Sequence, residues 1–375
     1  MHSAKRGHAT KVGVVGVGYW GPKIVRNLSE MPEADLRWVV DLDAGRLARV
    51  RAQYPAVRTT HSYADVLRSD VEAVVVATPI RTHHALAKAA LLAGKHVMVE
   101  KPLTSSSAEA TDLVRVAEER GLVLMVGHTF EYNPAVRVLR DIVASGEIGE
   151  VFYVDMARLN LGLFQSDINV LWDLAPHDLS ILLYVLQRDP IAVSARGSAI
   201  VTPGVHDLAY VEVRFADGIL AHVHVTWLDP CKVRRVTVVG SRKMVVYDDV
   251  QEVEKIRIYD KGVDRPYETD HFTDFPLTYR YGGVNIPHIP LHEPLRAQCE
   301  HFLNCVRTGE RPQSDGRVGL KVVRILEQAD KSLQNGGVRE PALFDVPRTD
   351  GVGPHSLPAG HIGAAVLAAE GWRGR

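Results

Sequence analysis

Two periodicities divide the chain. Up to about residue 127, short apolar runs at 12–15, 36–40, 71–77, 96–99 and 122–126 are separated by patterns of helical spacing near 20–29, 43–53, 83–93 and 106–120. Apolar runs of this length bounded by turns read as buried strands, and their alternation with helices predicts a parallel sheet covered on both faces. The last of these helices carries its own punctuation: three serines precede it, Glu109 falls in its first turn and Gly121 stops it. After Gly149 the period changes to two. VFYVDMARL, AYVEVRFADGILAHVHVTW and RRVTVVGSRKMVVYDD alternate apolar and polar residues around Asp-Gly and Gly-Ser turns, which suits a largely antiparallel sheet with one buried face. Further helices are expected near 174–187, 294–307 and 317–334. The fold class is therefore α/β: a doubly wound first domain over residues 1–130, an α+β second domain over 131–345, and a poorly ordered Gly-, Pro- and Ala-rich tail over 346–375.

Composition narrows the partners. With 375 residues the chain has room for two domains at roughly 150 residues each. Hydrophobic residues make up 46%, and 44 basic residues stand against 45 acidic ones, so a substantial core is expected and a basic excess for nucleic acid or anionic lipid is missing. Neither nucleic acid nor membrane is expected as a partner. No uncharged apolar run approaches the ~18 residues of a membrane span. Lys5 and Arg6 before VGVVGVGYW imitate a secretory leader, but the stretch is broken by glycines and lacks an A-x-A-like site. The three cysteines, Cys231, Cys299 and Cys305, are odd in number and show no C-x-x-C spacing, so a reducing, cytoplasmic setting is expected.

Three motifs carry chemistry. Gly16-Val17-Gly18-Tyr19-Trp20-Gly21 follows the first strand and opens the first helix, and Asp41 stands twenty residues after Gly21 at the end of the second strand. In that context the glycines let backbone approach a pyrophosphate, and the carboxylate is placed to accept from a ribose diol, the arrangement of a Rossmann dinucleotide site. Asp41, followed by Leu42 and Asp43 with Arg46 the nearest cation, disfavours a 2′-phosphate, so NAD is expected over NADP. The second motif places Thr78-Pro79 and His83-His84 after the fourth strand and Glu100-Lys101-Pro102 after the fifth, both at the sheet's carboxyl edge. From spacing alone, Glu100 and Lys101 read equally as a solvated pair, and the histidines as helix-start residues. The third is Trp172-Asp173-Leu174-Ala175-Pro176-His177-Asp178. Asp173 and His177, one turn apart, suit an oriented general base; Asp173 as a helix N-cap with Pro176 in the first turn is the structural alternative. No metal spacing is present.

Together GVGYWG, ATPIRTHH, VMVEKPLT, GHTFEYNPAV and WDLAPHD resemble the Gfo/Idh/MocA oxidoreductase family over about residues 11–340. The resemblance implies a Rossmann domain joined to an α/β domain whose open sheet often forms an oligomer interface, hence a homodimer or homotetramer. It implies Lys101, Asp173 and His177 as catalytic residues acting on a ring hydroxyl; Asn160, in RLNLG on a strand approaching the cleft, reads as a substrate contact or equally as a structural asparagine in a turn. Gly16, Gly18, Tyr19, Trp20, Gly21, Asp41, Thr78, Pro79, His83, Glu100 and Lys101 would face the cofactor. The implied reaction moves a hydride between nicotinamide and a secondary alcohol or ketone of a sugar, nucleotide-linked in the first instance or an inositol or aminocyclitol in the second. An NAD-dependent glycosidase and a non-catalytic NAD-binding sensor remain open from the sequence. Ser180 stands where many members carry an aspartate, and the stretch 271–292 reads either as a lid or as a surface excursion.

Overall fold

The first apolar run forms β1 (Thr10–Val15), with Val12 and Val14 fully buried. The structure, a computed structural model, describes residues 9–165, 168–264, 277–290 and 292–342. From β1 the chain continues through α1 (Gly21–Glu30), β2 (Ala34–Val40), α2 (Ala44–Gln53), β3 (Arg58–Thr60), α3 (Tyr63–Arg68), β4 (Ala73–Val76), α4 (His83–Leu92), β5 (His96–Glu100), α5 (Ser107–Glu119) and β6 (Leu124–Gly127). These strands pair in parallel in the order β3-β2-β1-β4-β5-β6. Every residue of β4 and β6 is buried, as a sheet covered on both faces requires. The order reverses between β1 and β4, so a crevice opens beyond their carboxyl ends. Sequence reading missed β3 and α3, because Arg58-Thr59-Thr60 has no apolar run and α3 is barely more than a turn.

The second part follows as α6 (Pro134–Ala144), β7 (Val151–Leu159), α7 (Val170–Leu186), β8 (Pro190–Ser198), β9 (Leu208–Phe215), β10 (Leu220–Thr226), β11 (Val233–Gly240), β12 (Met244–Asp248), β13 (Ile256–Asp264), β14 (Thr278–Asn285), α8 (Pro294–Thr308), α9 (Gly316–Gln334) and β15 (Glu340–Pro341). Its strands form one sheet, β14-β13-β12-β11-β7-β10-β9-β8-β15. All its pairs are antiparallel except β7 with β10, which run parallel because α7 and two further strands intervene between them. Alternate residues such as Val154, Met156, Val211, Val213, Val223 and Val238 turn inward to a core shared with α6, α7 and α9. The opposite face, with Tyr153 and Tyr210, is open.

Three expectations change. Helix α7 begins at Val170, where Asn169 caps it by accepting from the Trp172 N–H at 3.2 Å, so Asp173 is not the N-cap and Pro176 lies inside the helix. The boundary at residue 130 is not a clean cut: Leu295, Cys299 and Phe302 of α8 share a core with Val12, Val14 and Ile24, and Val323 of α9 packs with the β4–β6 side of the first sheet. Within 271–292, residues 278–285 form the outermost strand of the second sheet rather than a lid, while 271–276, 291 and the tail from 343 lie outside the described residues. Helix α6 was not anticipated, although Asn133 before Pro134 is a legible start signal, its side chain accepting from the Ala135 N–H at 3.0 Å.

Candidate active site

The glycine turn joins β1 to α1 at the crevice. Gly16 has φ +92°, and a Cβ there would sit 2.6 Å from the Ala77 carbonyl oxygen. One on Gly21 would sit 2.1 Å from the Gly16 carbonyl oxygen, so close backbone packing excludes a side chain at both positions. Gly18 differs, since a Cβ on it meets only Arg46, at 3.9 Å. Its backbone is bare toward the crevice, which is what a pyrophosphate against a helix N-terminus needs. Asp41 is buried beside it, its carboxylate accepting from the Val17 and Asp43 N–H groups at 2.7 and 2.8 Å, with the Arg46 guanidinium 3.6 Å away. The cleft, about 850 Å³, runs from Gly16, Gly18, Tyr19 and Trp20 past Asp41 to Thr78 and Pro79, and ends at Glu100, Lys101 and Asp173. These residues fit a dinucleotide: bare backbone at one end, a fixed carboxylate beside it, and charged groups at the far end.

His83 does not belong to that set. It is 1% exposed, outside the cleft lining, with Nδ1 at 2.9 Å from the Pro102 carbonyl and Nε2 at 2.8 Å from the Thr78 carbonyl. It ties the two strand-end loops together, a structural duty in place of the expected cofactor contact. His84 turns outward to Asp112 at 2.8 Å.

A second cavity of about 650 Å³ shares Tyr19, Trp20, Glu100, Lys101 and Asp173 with the cleft and continues to Asn160, His177, Trp227 and Arg234. Lys101, 11% exposed at its side chain, donates from Nζ to the Asp173 carbonyl at 2.7 Å and lies 3.8 Å from the Asp173 carboxylate. Burial pushes its ammonium pKa down, while Asp173 and Glu100 hold it up. Burial likewise raises the Glu100 carboxyl to about 7. The His177 ring packs against Phe130 at 5.0 Å, and its Nδ1 is buried with no hydrogen-bond partner. Burial, then the charges of Lys101 and Arg158, hold its pKa well below the ordinary 6.5, so the imidazole is neutral at physiological pH.

The expected pairing of Asp173 with His177 is not made. The Asp173 carboxylate accepts from the Trp227 indole N–H at 3.0 Å and faces Lys101, so it orients the lysine rather than the imidazole. Ser180, one turn further along α7, only back-bonds to the His177 carbonyl at 2.9 Å. Several lining residues escaped sequence reading. Arg158, at the end of β7, is buried in a two-contact pair with Asp178, at 2.6 and 3.1 Å, and its guanidinium lies 4.6 Å from the Phe130 ring centre. Asn133, Arg234 and Asp249 form another wall: Asp249 accepts from the Tyr247 hydroxyl at 3.0 Å and from Arg234 at 3.3 Å. Arg234 and Asp249 come from the two sides of the β11–β12 hairpin, whereas Asn133, the cap of α6, reaches Asp249 from 116 residues away, so no local motif joins the three. Among the described residues no cluster of His, Cys, Asp and Glu is placed to hold a metal ion.

A dinucleotide crevice leading into a pocket with a lysine and a neutral histidine defines an NAD-binding oxidoreductase architecture. Residues 10–128 match the oxidoreductase family with an NAD-binding Rossmann fold, and residues 136–246 match the Gfo/Idh/MocA C-terminal domain. Among curated proteins, UDP-N-acetylglucosamine 3-dehydrogenase of Acidithiobacillus ferrooxidans is 30% identical over 86% of this chain and 97% of its own. The scyllo-inositol 2-dehydrogenase (NAD+) of Bacillus subtilis is 26% identical over 91% and 98%. Among solved structures, GenD2 from gentamicin A biosynthesis, in complex with NAD, superposes with a TM-score of 0.75 at 27% identity, covering 91% of this chain and 98% of that one. The chain belongs to the Gfo/Idh/MocA family of oxidoreductases.

Proposed function

We propose that this protein is an NAD-dependent dehydrogenase acting on a ring secondary alcohol of a nucleotide-linked sugar. The observation that carries this reading is the placing of Lys101 and a neutral His177 in one cavity that continues from the dinucleotide cleft. When bound, the nicotinamide supplies the acceptor or donor of a hydride. His177, kept neutral by burial, takes the hydroxyl proton on oxidation and returns it on reduction. Lys101, steered by Asp173, donates a hydrogen bond to the reacting oxygen and stabilises its developing negative charge. Asn160 and the Arg234–Asp249 wall meet the remaining substituents of the ring.

NAD is preferred to NADP because the Asp41 carboxylate is buried and fixed at the ribose end of the cleft, and the Arg46 guanidinium there already lies against it. A nucleotide-sugar dehydrogenase at 30% identity supports the first reading, and an inositol dehydrogenase among the relatives keeps the cyclitol class as the second. The open face of the second sheet is proposed to pair with other copies, giving a homodimer or homotetramer. Three free cysteines, two of them buried, fit a cytoplasmic protein, and among the described residues no helix is long and apolar enough to cross a membrane. The test is a screen of nucleotide sugars, glycosides, inositols and aminocyclitols with each cofactor, following NADH absorbance and product mass together. NADH formation with an oxidised nucleotide sugar is expected. Free sugar without NADH would indicate a glycosidase, and NAD binding without turnover of any of them a sensor.

A further inference from the structure

Four cations line the substrate cavity, and three have acidic company: Lys101 has Asp173, Arg158 has Asp178 and Arg234 has Asp249. Lys23 is different. Its ammonium lies 4.1 Å from the ring centres of both Tyr19 and Trp20, and among the described residues it forms no ion pair. Glu293, another carboxylate of the cavity lining, is already held by Arg26 and Asn27. The two rings stand edge to face at 5.5 Å and mark the solvent side, Tyr19 being 73% exposed and Trp20 36%, whereas His177 is deep in the cavity with a buried Nδ1. Lys23 lines the substrate cavity and not the cofactor cleft, while Tyr19 and Trp20 line both.

A cation fixed over aromatic faces, without a carboxylate, retains attraction for an incoming anion, and its stem is held in place before the ligand arrives. We infer that Lys23, with Tyr19 and Trp20, forms a phosphate-recognising subsite at the mouth of the substrate cavity, taking the diphosphate of a nucleotide-linked sugar while the sugar ring lies between Lys101 and His177. The inference rests on the dehydrogenase reading above and gives it a residue that selects phosphorylated substrates over uncharged cyclitols and over polycationic aminoglycosides, which the ammonium repels. The exposed faces of Tyr19 and Trp20 supply a stacking surface for the base. Direct contact of one ammonium with phosphate is a point-charge interaction, so a positive charge at this position matters more than its exact shape.

The probes are uridine diphosphate, uridine and a hexose 1-phosphate, titrated by calorimetry against the full chain with NAD present. The expected result is that Lys23→Ala weakens uridine diphosphate and hexose 1-phosphate by at least ~10-fold, with uridine and NAD affinities unchanged, and that Lys23→Arg restores most of the binding. Equal weakening of uridine would assign the site to base stacking alone, and weakening of NADP or NAD in place of the phosphates would assign Lys23 to the cofactor; either overturns the inference. Failure of the wild-type protein to bind any phosphorylated probe, together with turnover of an inositol, would overturn it while leaving the dehydrogenase reading intact. Phosphate binding that depends on Lys23 without turnover of any sugar would sustain the subsite and remove the enzyme.

Discussion

At the scale of single residues, chemistry is set by burial. His177 is kept neutral by desolvation and by the positive charges of Lys101 and Arg158, so it is ready to accept a proton well below pH 6.5. Because Glu100 beside Lys101 titrates near 7, the test uses Glu100→Gln, whose oxidation rate should stay flat from neutral pH to below 6.5 and fall only under more acid conditions; an inflection at the ordinary histidine value in that variant's kcat profile would contradict the burial. His177→Ala and Lys101→Met should each lower turnover by at least ~100-fold with NAD affinity nearly unchanged. Asp173→Asn should cost less, and its effect should resemble a weakened Lys101, because the carboxylate touches Trp227 and the lysine rather than the imidazole. Glu131 offers a stability test outside the chemistry. Burial raises its carboxyl from 4.5 to about 8, and one of its oxygens has no partner. Between those values the folded state holds a proton that the unfolded chain releases, so this group's contribution to stability declines as pH rises through that window. Glu131→Gln should therefore gain in Tm over the wild type between pH 5 and about 8, with no further gain above; a pH-independent difference would rule the linkage out.

At the scale of elements, one turn separates folding from binding. Gly16 and Gly21 are required by packing, since a side chain at either collides with backbone, whereas Gly18 faces open space. Gly16→Ala should lower Tm and cofactor affinity together. Gly18→Ala should keep the wild-type Tm and, on the proposed cofactor placement, lose NAD affinity by an order of magnitude or more, because its methyl would compete with the pyrophosphate. Thermal melts and NAD titrations of the two variants check this directly, and a Gly18→Ala protein with full NAD affinity would move the cofactor elsewhere. Helix α7 shows a related division of labour. Asn169 begins it, so Asp173 is released from capping and can face Lys101. Arg158 and Asp178 fasten its next turn to β7.

At the scale of the whole molecule, the second sheet buries one face under α6, α7 and α9 and leaves Tyr153 and Tyr210 exposed on the other, Tyr210 stacked on His224 at 4.2 Å. A wide sheet face with exposed aromatic residues is the surface proposed for self-association. Tyr153→Asp combined with Tyr210→Asp should shift the mass measured by light scattering toward one chain while leaving the circular dichroism spectrum unchanged. A wild-type protein that is monomeric at micromolar concentration would end the proposal.

Local periodicity and local motifs were enough to predict the parallel sheet and the glycine turn and to set Asp41 and Lys101 at strand ends, because each depends on neighbours close in the chain; that Lys101 is more than half of a solvated pair came only from the family resemblance. The antiparallel second sheet was legible for the same reason, its period of two surviving within each strand. What tertiary structure alone decided were the pairings between distant segments. His83 has the sequence position of a cleft residue, but it is buried with its ring nitrogens against carbonyls of two loops, and Asp173 has the spacing of a partner for His177 but meets Trp227, fifty-four residues away. The Arg158–Asp178 pair, the approach of Asn133 to Asp249 and the packing of α8 on the first sheet likewise join segments whose proximity no local pattern encodes. Side chains near each other in sequence choose their secondary structure by steric fit and periodicity, whereas a buried polar group takes whichever partner the completed packing brings within hydrogen-bond reach.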